Sequence, residues 1–393
     1  MFRLSYYMRE LISPSHPKFR KATGPVVIWN ILRKCNLACR MCYANSYNKD
    51  FEGELSLDEC IKNIDDLGEA NVPALILSGG EPLLHPNFFE IANHAKKQKF
   101  YLSLSTNGIL ITPEVATRLK KMGFDYVGIS LDGIGEVHDY IRGEKGAFDQ
   151  SVVGIKHAVE QGLKVGIRTT LTHTNAHQIG NMLELCQDLG VGKFYLSHLN
   201  YGGRAKKKED AHFEMTRNAM NLLLEKTLLL EQNDNPLEIV TGNNDADAGF
   251  MLLWAKGRFP DENIQYVREL MLRWGGNASG VGVANIDSQG DVHPDSFWPG
   301  VKLGNIKERP FSEIWKENTH PIIQILRSDR RQITGRCHGC EFFNICNGNT
   351  RVRAMQTLND PWASDPGCYL SDAEILKPQT TLKNMGIYEH VKS

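Results

Sequence analysis

A chain of 393 residues, 41% hydrophobic and 23% charged, has enough apolar material for one large domain or two smaller ones with a real core. Its formal net charge of −1 leaves no global basic field to argue for nucleic acid. No apolar run reaches the roughly 18–20 residues of a membrane span, and residues 1–21 lack the apolar stretch of a signal peptide, so the expected setting is the cytoplasm.

Residues 1–24 read as an amphipathic arm (Leu4, Tyr7, Met8, Leu11) and a proline-containing linker. The apolar run at 25–31 reads as a buried strand. Directly behind it stand Cys35, Cys39 and Cys42 at C-x3-C-x2-C spacing. Ser56-Leu57-Asp58-Glu59 has the form of a capping box opening a helix to about residue 70. Strand-like runs then recur at 74–78, 101–105, 126–131, 164–170 and 194–199, with helical patterns at 87–97, 113–122, 147–161, 176–189 and 213–231. Thr112-Pro113 is a clear helix start.

Six βα units predict an α/β fold, a partial (β/α)6 TIM-like barrel over 25–235. Past Pro236 the alternation fails. A connecting region with a probable hairpin (282–287 with 291–293) is expected over 236–310, a small Cys-rich C-terminal domain over 311–372, and a polar tail over 373–393.

Nine cysteines in a reducing setting read as metal ligands wherever they cluster. Cys60 and Cys186 stand alone on apolar helical stripes, where a thiol is a small buried hydrophobe. Thiolates select iron–sulfur clusters, zinc or cuprous copper. Three of them on four irons would leave one iron open, the mark of a reactive site rather than a structural one. The second group, Cys337, Cys340, Cys346 and Cys368, could close the shell of one zinc or one [4Fe–4S] cluster. Polar residues repeat at successive strand ends: Ser78-Gly79-Gly80-Glu81-Pro82, Ser105-Thr106-Asn107-Gly108, Ser130-Leu131-Asp132-Gly133 and Arg168. A barrel builds its active site at that end. Arg204 and Lys206–Lys208, after the sixth strand, are either carboxylate-binding or a solvated loop. His198 and His293 are candidates for ligating a metal or moving protons, against the commoner role of a hydrogen-bonded core histidine.

These motifs in this order resemble the radical S-adenosylmethionine (SAM) superfamily. The resemblance implies a [4Fe–4S] cluster on Cys35, Cys39 and Cys42 whose open iron is chelated by SAM. It places Gly79, Gly80, Glu81 and Pro82 at the methionine amine, with Ser130, Asp132 and Arg168 as further SAM contacts. The C-terminal cysteines resemble the SPASM and twitch auxiliary-cluster domains, which implies one further [4Fe–4S] cluster, fully ligated by Cys337, Cys340, Cys346 and Cys368. No cysteine stands at 292–306 to ligate another.

Residues 1–11, 240–247 (VTGNNDAD) and 335–370 resemble a haem-biosynthesis group within the superfamily. That resemblance implies an iron tetrapyrrole substrate and a flavodoxin- or ferredoxin-like electron donor, with no nucleic-acid or membrane partner. We expect removal of acetate side chains from 12,18-didecarboxysiroheme, giving Fe-coproporphyrin III. The alternatives are a haem d1 enzyme acting on propionates, a SPASM-type peptide-modifying enzyme and a zinc-stabilised adaptor without catalysis. No leader-peptide-binding segment is recognised before residue 25, which weighs against the peptide reading.

Overall fold

The computed structural model describes residues 1–15, 24–317 and 319–375. The expected linker from 16 to 23 and the tail from 376 lie outside the described residues. Ten strands form one sheet: β1 (Val26–Asn30), β2 (Ala74–Ser78), β3 (Tyr101–Thr106), β4 (Tyr126–Ser130), β5 (Val165–Leu171), β6 (Lys193–His198), β7 (Glu238–Gly242), β8 (Val283–Ile286), β9 (Asp291–His293) and β10 (Gly304–Asn305). Their order is β10-β9-β8-β1-β2-β3-β4-β5-β6-β7. Strands β1 to β7 run parallel in sequence order, β8 joins parallel to β1, and β8-β9-β10 are antiparallel. The sheet is an open, partial barrel.

The helical patterns form where the sequence predicts them. The capping box closes both ways, with Ser56 N–H donating to Glu59 Oε2 at 2.7 Å and Glu59 N–H to Ser56 Oγ at 3.4 Å. Thr112 Oγ1 accepts from Val115 N–H at 3.2 Å above Pro113. Such caps contribute about 1 kcal/mol each.

Two elements go beyond the expected six units. The segment 238–242, read from sequence as the start of an irregular stretch, is a parallel strand whose outer edge is covered: Phe2 N–H donates to Thr241 O at 2.7 Å and Thr241 N–H to Phe2 O at 2.8 Å. Leu4, Tyr7, Met8 and Leu11 of the helix Leu4–Ile12 are buried beside it, so the N-terminal arm protects an edge strand from unwanted pairing. A seven-residue helix, Glu136–Arg142, follows β4. Its brevity and flanking glycines hide it from a periodicity reading.

The side chains that face into the barrel decide its use. Alternate positions of β2 to β6 place Ser78, Ser105, Ser130, Arg168, Thr170, Tyr195 and Ser197 on one cavity. Tyr126 and Tyr195 fit across the interior because Gly166 and Gly242 stand opposite, where any Cβ would collide with their hydroxyls. Lower down, Glu238 meets Lys193 at 2.9 Å and Arg3 at 3.1 Å. Apolar residues take the outer faces of the strands: Val27, Trp29, Leu75, Leu77, Leu102, Leu104, Val127, Ile129, Ile167, Phe194 and Leu196 are all buried. The core therefore lies between sheet and helices, and the polar interior is left for ligands.

Candidate active site and auxiliary cysteine centre

The cysteine loop leaves β1 at the carboxyl end of the barrel and is anchored from three directions. Tyr43 Oη donates to Asn30 Oδ1 at 3.1 Å, and Cys35 N–H to Tyr47 O at 3.1 Å. The β2 loop docks on the segment between β1 and the cysteines, with Gly80 N–H on Leu32 O (2.8 Å) and Glu81 N–H on Lys34 O (2.9 Å). A Cβ at Gly80 would strike Lys34 O, so this close approach requires glycine. From the far side Arg204 donates through Nε to Cys39 O at 2.7 Å and through Nη1 to Ser46 O at 2.9 Å. Of the basic run, then, Arg204 is turned inward onto the loop, while Lys206, Lys207 and Lys208 are exposed.

Each thiol of the loop has one hydrogen-bond donor. Leu37 N–H reaches Cys35 Sγ and Ser46 N–H reaches Cys42 Sγ, both at 3.4 Å, and Arg142 Nη1 lies 3.7 Å from Cys39 Sγ. Burial pushes the Cys35 thiol up to about 12, with the Leu37 N–H opposing. Burial likewise raises Cys39, against the pull of the Arg142 guanidinium. The charge of a bound metal would offset such a penalty on thiolate formation. The three thiols share one cavity. Among the described residues, no three His, Cys, Asp or Glu side chains converge on a point that a single ion could occupy.

The cavity, about 1390 Å³ including its open mouth, is lined by the three cysteines together with Gly79, Gly80, Ser130, Asp132 and Arg168. Glu81 and Pro82 lie behind it. Glu81 is fully buried and accepts from Thr106 Oγ1 (2.8 Å), Asn107 N–H (2.8 Å) and Leu83 N–H (3.2 Å). Burial raises its carboxyl to about 7 despite those donors. Asn107 continues the link, its Nδ2 donating to Asn36 Oδ1 at 2.8 Å inside the cysteine loop.

Asp132 accepts from Thr170 N–H at 2.7 Å and pairs with Arg142 Nη2 at 2.5 Å. Arg142 thus ties the β4 carboxylate to the Cys39 thiol. Behind the pair, His138 Nδ1 accepts from Asp132 N–H at 3.0 Å, which requires a neutral ring; burial and then the Arg142 charge depress its pKa to about 3. Arg168 donates to Ser105 Oγ at 2.8 Å and lies over the Tyr195 ring. No carboxylate among the described residues pairs with it.

The candidate histidines are both engaged. His198 Nε2 stands 3.0 Å from Asp247 Oδ1, and Asp247 also receives Tyr369 Oη at 2.6 Å. His293 Nδ1 is 2.8 Å from Val301 O.

The C-terminal cysteines gather against the mouth side of β6 and β7. Cys337 and Cys346 are buried, Cys340 and Cys368 half-buried, and Phe342 N–H donates to Cys340 Sγ at 3.4 Å. Burial lifts Cys346 well above the usual thiol range, and Cys340, Cys368 and Cys337 add to the rise. The module is riveted to the barrel by Arg353. Its Nη2 meets Asp365 Oδ2 at 2.7 Å, and its Nη1 donates to Asn243 O at 2.7 Å, Leu199 O at 3.2 Å and Asn200 Oδ1 at 3.3 Å. Residues 240–247 are the other half of this seam: Asp245 N–H donates to Asn349 Oδ1 at 2.8 Å. Sequence reasoning missed Arg142 and Arg353, and it offered Arg204 as carboxylate-binding or solvated where it instead donates to the cysteine loop. Each finds its partner on a distant segment, and no spacing rule marks it.

Residues 29–186 match the Radical SAM superfamily, and residues 279–341 match the SPASM iron-sulfur cluster-binding domain. The chain belongs to the radical SAM superfamily, whose members hold a [4Fe–4S] cluster and SAM; the SPASM match adds auxiliary iron–sulfur. It is 50% identical over 378 residues to the pre-heme d1 synthase of Dinoroseobacter shibae, covering 95% of this chain and 93% of that protein. It is 39% identical over 368 residues to the Fe-coproporphyrin III synthase of Methanosarcina barkeri, covering 92% of each. Within the superfamily it is a radical SAM enzyme of the haem-biosynthesis group. The fold is similar to that of SuiB from Streptococcus suis bound to S-adenosylmethionine (TM-score 0.70, 18% identity, 89% of this chain and 78% of that one). It is also similar to anSMEcpe with bound AdoMet (TM-score 0.67, 20% identity, 87% and 93%). Among the described residues no helix is long and apolar enough to cross a membrane.

Proposed function

We propose that this enzyme removes propionate side chains from a didecarboxysiroheme-type iron tetrapyrrole, the reaction class of a pre-heme d1 synthase. The observation that carries the substrate is the 50% identity to that synthase over 95% of the chain. The radical chemistry is supported independently by three thiols and a row of strand-end polar groups on one open cavity.

In this reading Cys35, Cys39 and Cys42 hold a cluster with one open iron. Cluster and SAM together supply a 5′-deoxyadenosyl radical by one-electron cleavage of SAM. The backbone at Gly79 and Gly80, with Ser130, Asp132 and Arg168, receives SAM, and Arg168 is the cation left free for its carboxylate. Glu81 and Pro82 act from behind, the buried carboxylate fastening the β2 and β3 loops on which SAM rests. Cys337, Cys340, Cys346 and Cys368 hold an auxiliary [4Fe–4S] cluster. A flavodoxin- or ferredoxin-like protein delivers electrons, and the two thiol groups support a reducing, cytoplasmic setting.

The second reading is acetate removal to Fe-coproporphyrin III, supported by the 39% identity to that synthase. Anaerobic incubation with SAM, reductant and didecarboxysiroheme, followed by mass spectrometry, separates the two. Loss of propionate carries the first reading, and loss of acetate transfers it to the second. An unchanged tetrapyrrole with no 5′-deoxyadenosine removes both. Iron and sulfide analysis tests the sites themselves: about eight irons per chain are expected, and zinc without iron would restore the adaptor reading.

A further inference from the structure

Lys206, Lys207 and Lys208 are exposed, and the SAM site described above makes no use of them. The segment that carries them is fixed on both sides. Toward the cysteine loop, Arg204 N–H donates to Cys42 O at 2.9 Å, and its side chain holds Cys39 O and Ser46 O. Toward the C-terminal module, Arg353 Nη1 donates to Leu199 O at 3.2 Å and to Asn200 Oδ1 at 3.3 Å. In the helix that follows, Phe213–Gln232, Arg217 donates to Tyr369 O at 3.1 Å. The lysines therefore stand on a braced turn between the two groups of cysteines.

A cleft opens on each flank of that turn. One is lined by Lys208 together with Arg40, Tyr140 and His173. Arg40 follows Cys39 directly, and it and Ala38 are exposed, so the outer face of the cysteine loop reaches the surface here. Arg40 Nε donates to Tyr140 O at 3.1 Å and its guanidinium carbon lies 3.9 Å from the centre of the Tyr140 ring. No carboxylate among the described residues pairs with it. The other cleft is lined by Lys207 together with His212, Phe213 and Cys368. Phe213 is 47% exposed and Met215 37%.

The acids of the turn answer its charge only in part. Glu209 folds back to accept from Lys206 N–H at 2.9 Å, and it lies 3.8 Å from Lys208 Nζ, whose side chain is 82% exposed. A pair that loose and that wet is weak. Asp210 accepts from Tyr201 Oη at 2.6 Å. From 204 to 216, Glu214 is the one acid classed as exposed.

We propose that the Lys206–Lys208 turn, with Arg40 on its flank, is the docking surface for the one-electron donor, a small acidic protein of flavodoxin or ferredoxin type. Fixed cations around an exposed aromatic ring match an acidic partner, speeding encounter and setting its orientation. One electron leaves the carrier and enters the cluster on Cys35, Cys39 and Cys42. The carrier is oxidised by one electron, the cluster is reduced by one, and no bond or proton changes place. The proposal rests on the assignment of that cluster and of a protein donor. It is independent of which side chain the enzyme removes.

The test follows 5′-deoxyadenosine made by the full chain without tetrapyrrole, so the substrate assignment plays no part. Electrons come from dithionite, or from an acidic flavodoxin or an acidic ferredoxin kept reduced by its reductase. Lys207→Glu with Lys208→Glu should lower the carrier-driven rate about tenfold and leave the dithionite-driven rate unchanged. The wild-type carrier-driven rate should also fall as salt rises from about 0.05 to about 0.3 M. Lys97→Glu with Lys121→Glu reverses the same charge on the helices Phe88–Lys97 and Pro113–Met122, and should match the wild type. A turn variant as fast as the wild type with both carriers overturns the proposal and leaves a solvated loop. Equal loss in the two double variants overturns it in favour of net charge. Equal loss with dithionite overturns it in favour of a support for the cysteine loop. Absorbance titration with ferric didecarboxysiroheme covers the other ligand: weaker tetrapyrrole binding with unchanged carrier-driven cleavage makes the turn a substrate carboxylate site and overturns the proposal. A wild type driven by dithionite and by neither carrier overturns it as well. A wild type inert with dithionite removes the cluster assignment itself.

Discussion

Cys35, Cys39 and Cys42 line an open cavity of about 1390 Å³ that Cys337, Cys340, Cys346 and Cys368 do not line, although each group holds buried and half-buried thiols. Both regions gather thiols, and they differ in how the chain brings them together. The loop supplies its three thiols within eight residues and takes its restraint from distant elements, Arg142 on one side and Arg204 on the other. In the C-terminal module the fourth thiol arrives on a separate segment, with Cys368 N–H bonded to Asp365 O at 3.1 Å and Asp365 fixed by Arg353. An open site tolerates a local motif because the ligand completes it. A closed site needs tertiary structure to complete itself.

The largest effects should come from separating the two regions. Cys35→Ala should abolish reductive SAM cleavage to background while iron at the second site is retained, measured as 5′-deoxyadenosine per chain. Cys346→Ala should remove the auxiliary cluster and side-chain loss yet leave cleavage of SAM in the absence of substrate. Equal loss of cleavage in both variants would mean that the regions are one functional unit. Next in size, Arg353→Ala strips a buried ion pair of one partner and leaves Asp365 as a buried, unpaired carboxylate. It should cost about 3–5 kcal/mol in denaturant unfolding of the full chain, and a cost below 1 kcal/mol would show the seam to be loose.

Glu81→Ala should cost about 1–3 kcal/mol, because Thr106 Oγ1 and the N–H groups of Asn107 and Leu83 lose their acceptor. The carboxyl also gives a pH signature. Its folded pKa is raised to about 7 from 4.5, so the folded state holds a proton that the unfolded state releases. The contribution is fully present below the unfolded value and is lost as pH rises through about 7. Stability of the wild-type apoprotein should therefore fall across that window by more than that of the alanine variant. Gly203→Ala is a smaller probe of the loop: φ is +57° there and a Cβ would strike the carbonyls of Cys42 and Tyr43. It should cost about 1–3 kcal/mol and lower iron retention at the first site alone. The smallest effect belongs to Cys60→Ala and Cys186→Ala, fully buried in the helix–sheet core. Each should cost about 1 kcal/mol and leave iron content unchanged.

Much of this was legible in the residues. The six βα units, the capping box at Ser56 and the hairpin that became β8 and β9 follow from periodicity and turn chemistry, which act over a few neighbouring residues. The same locality explains what was hidden. Strand β7 lies in a stretch rich in Gly and Asn because those residues also serve the seam, where Asn243 O and Asp245 N–H meet the C-terminal module. Glu81 looks from sequence like a ligand-facing carboxylate, and its neighbours turn it inward.

The sequence by itself determined the chemistry: seven thiols in two spacings, a Gly-Gly-Glu-Pro turn and polar residues at successive strand ends. Ligand type, spacing and strand period are local properties, carried by a few adjacent residues. Tertiary structure decided which polar groups face the cavity and which cation braces which loop. Those outcomes depend on Arg142, Arg204 and Arg353 finding partners on other segments of the chain. The pairing is set by the packing of the sheet and the module, and nothing adjacent in sequence encodes it.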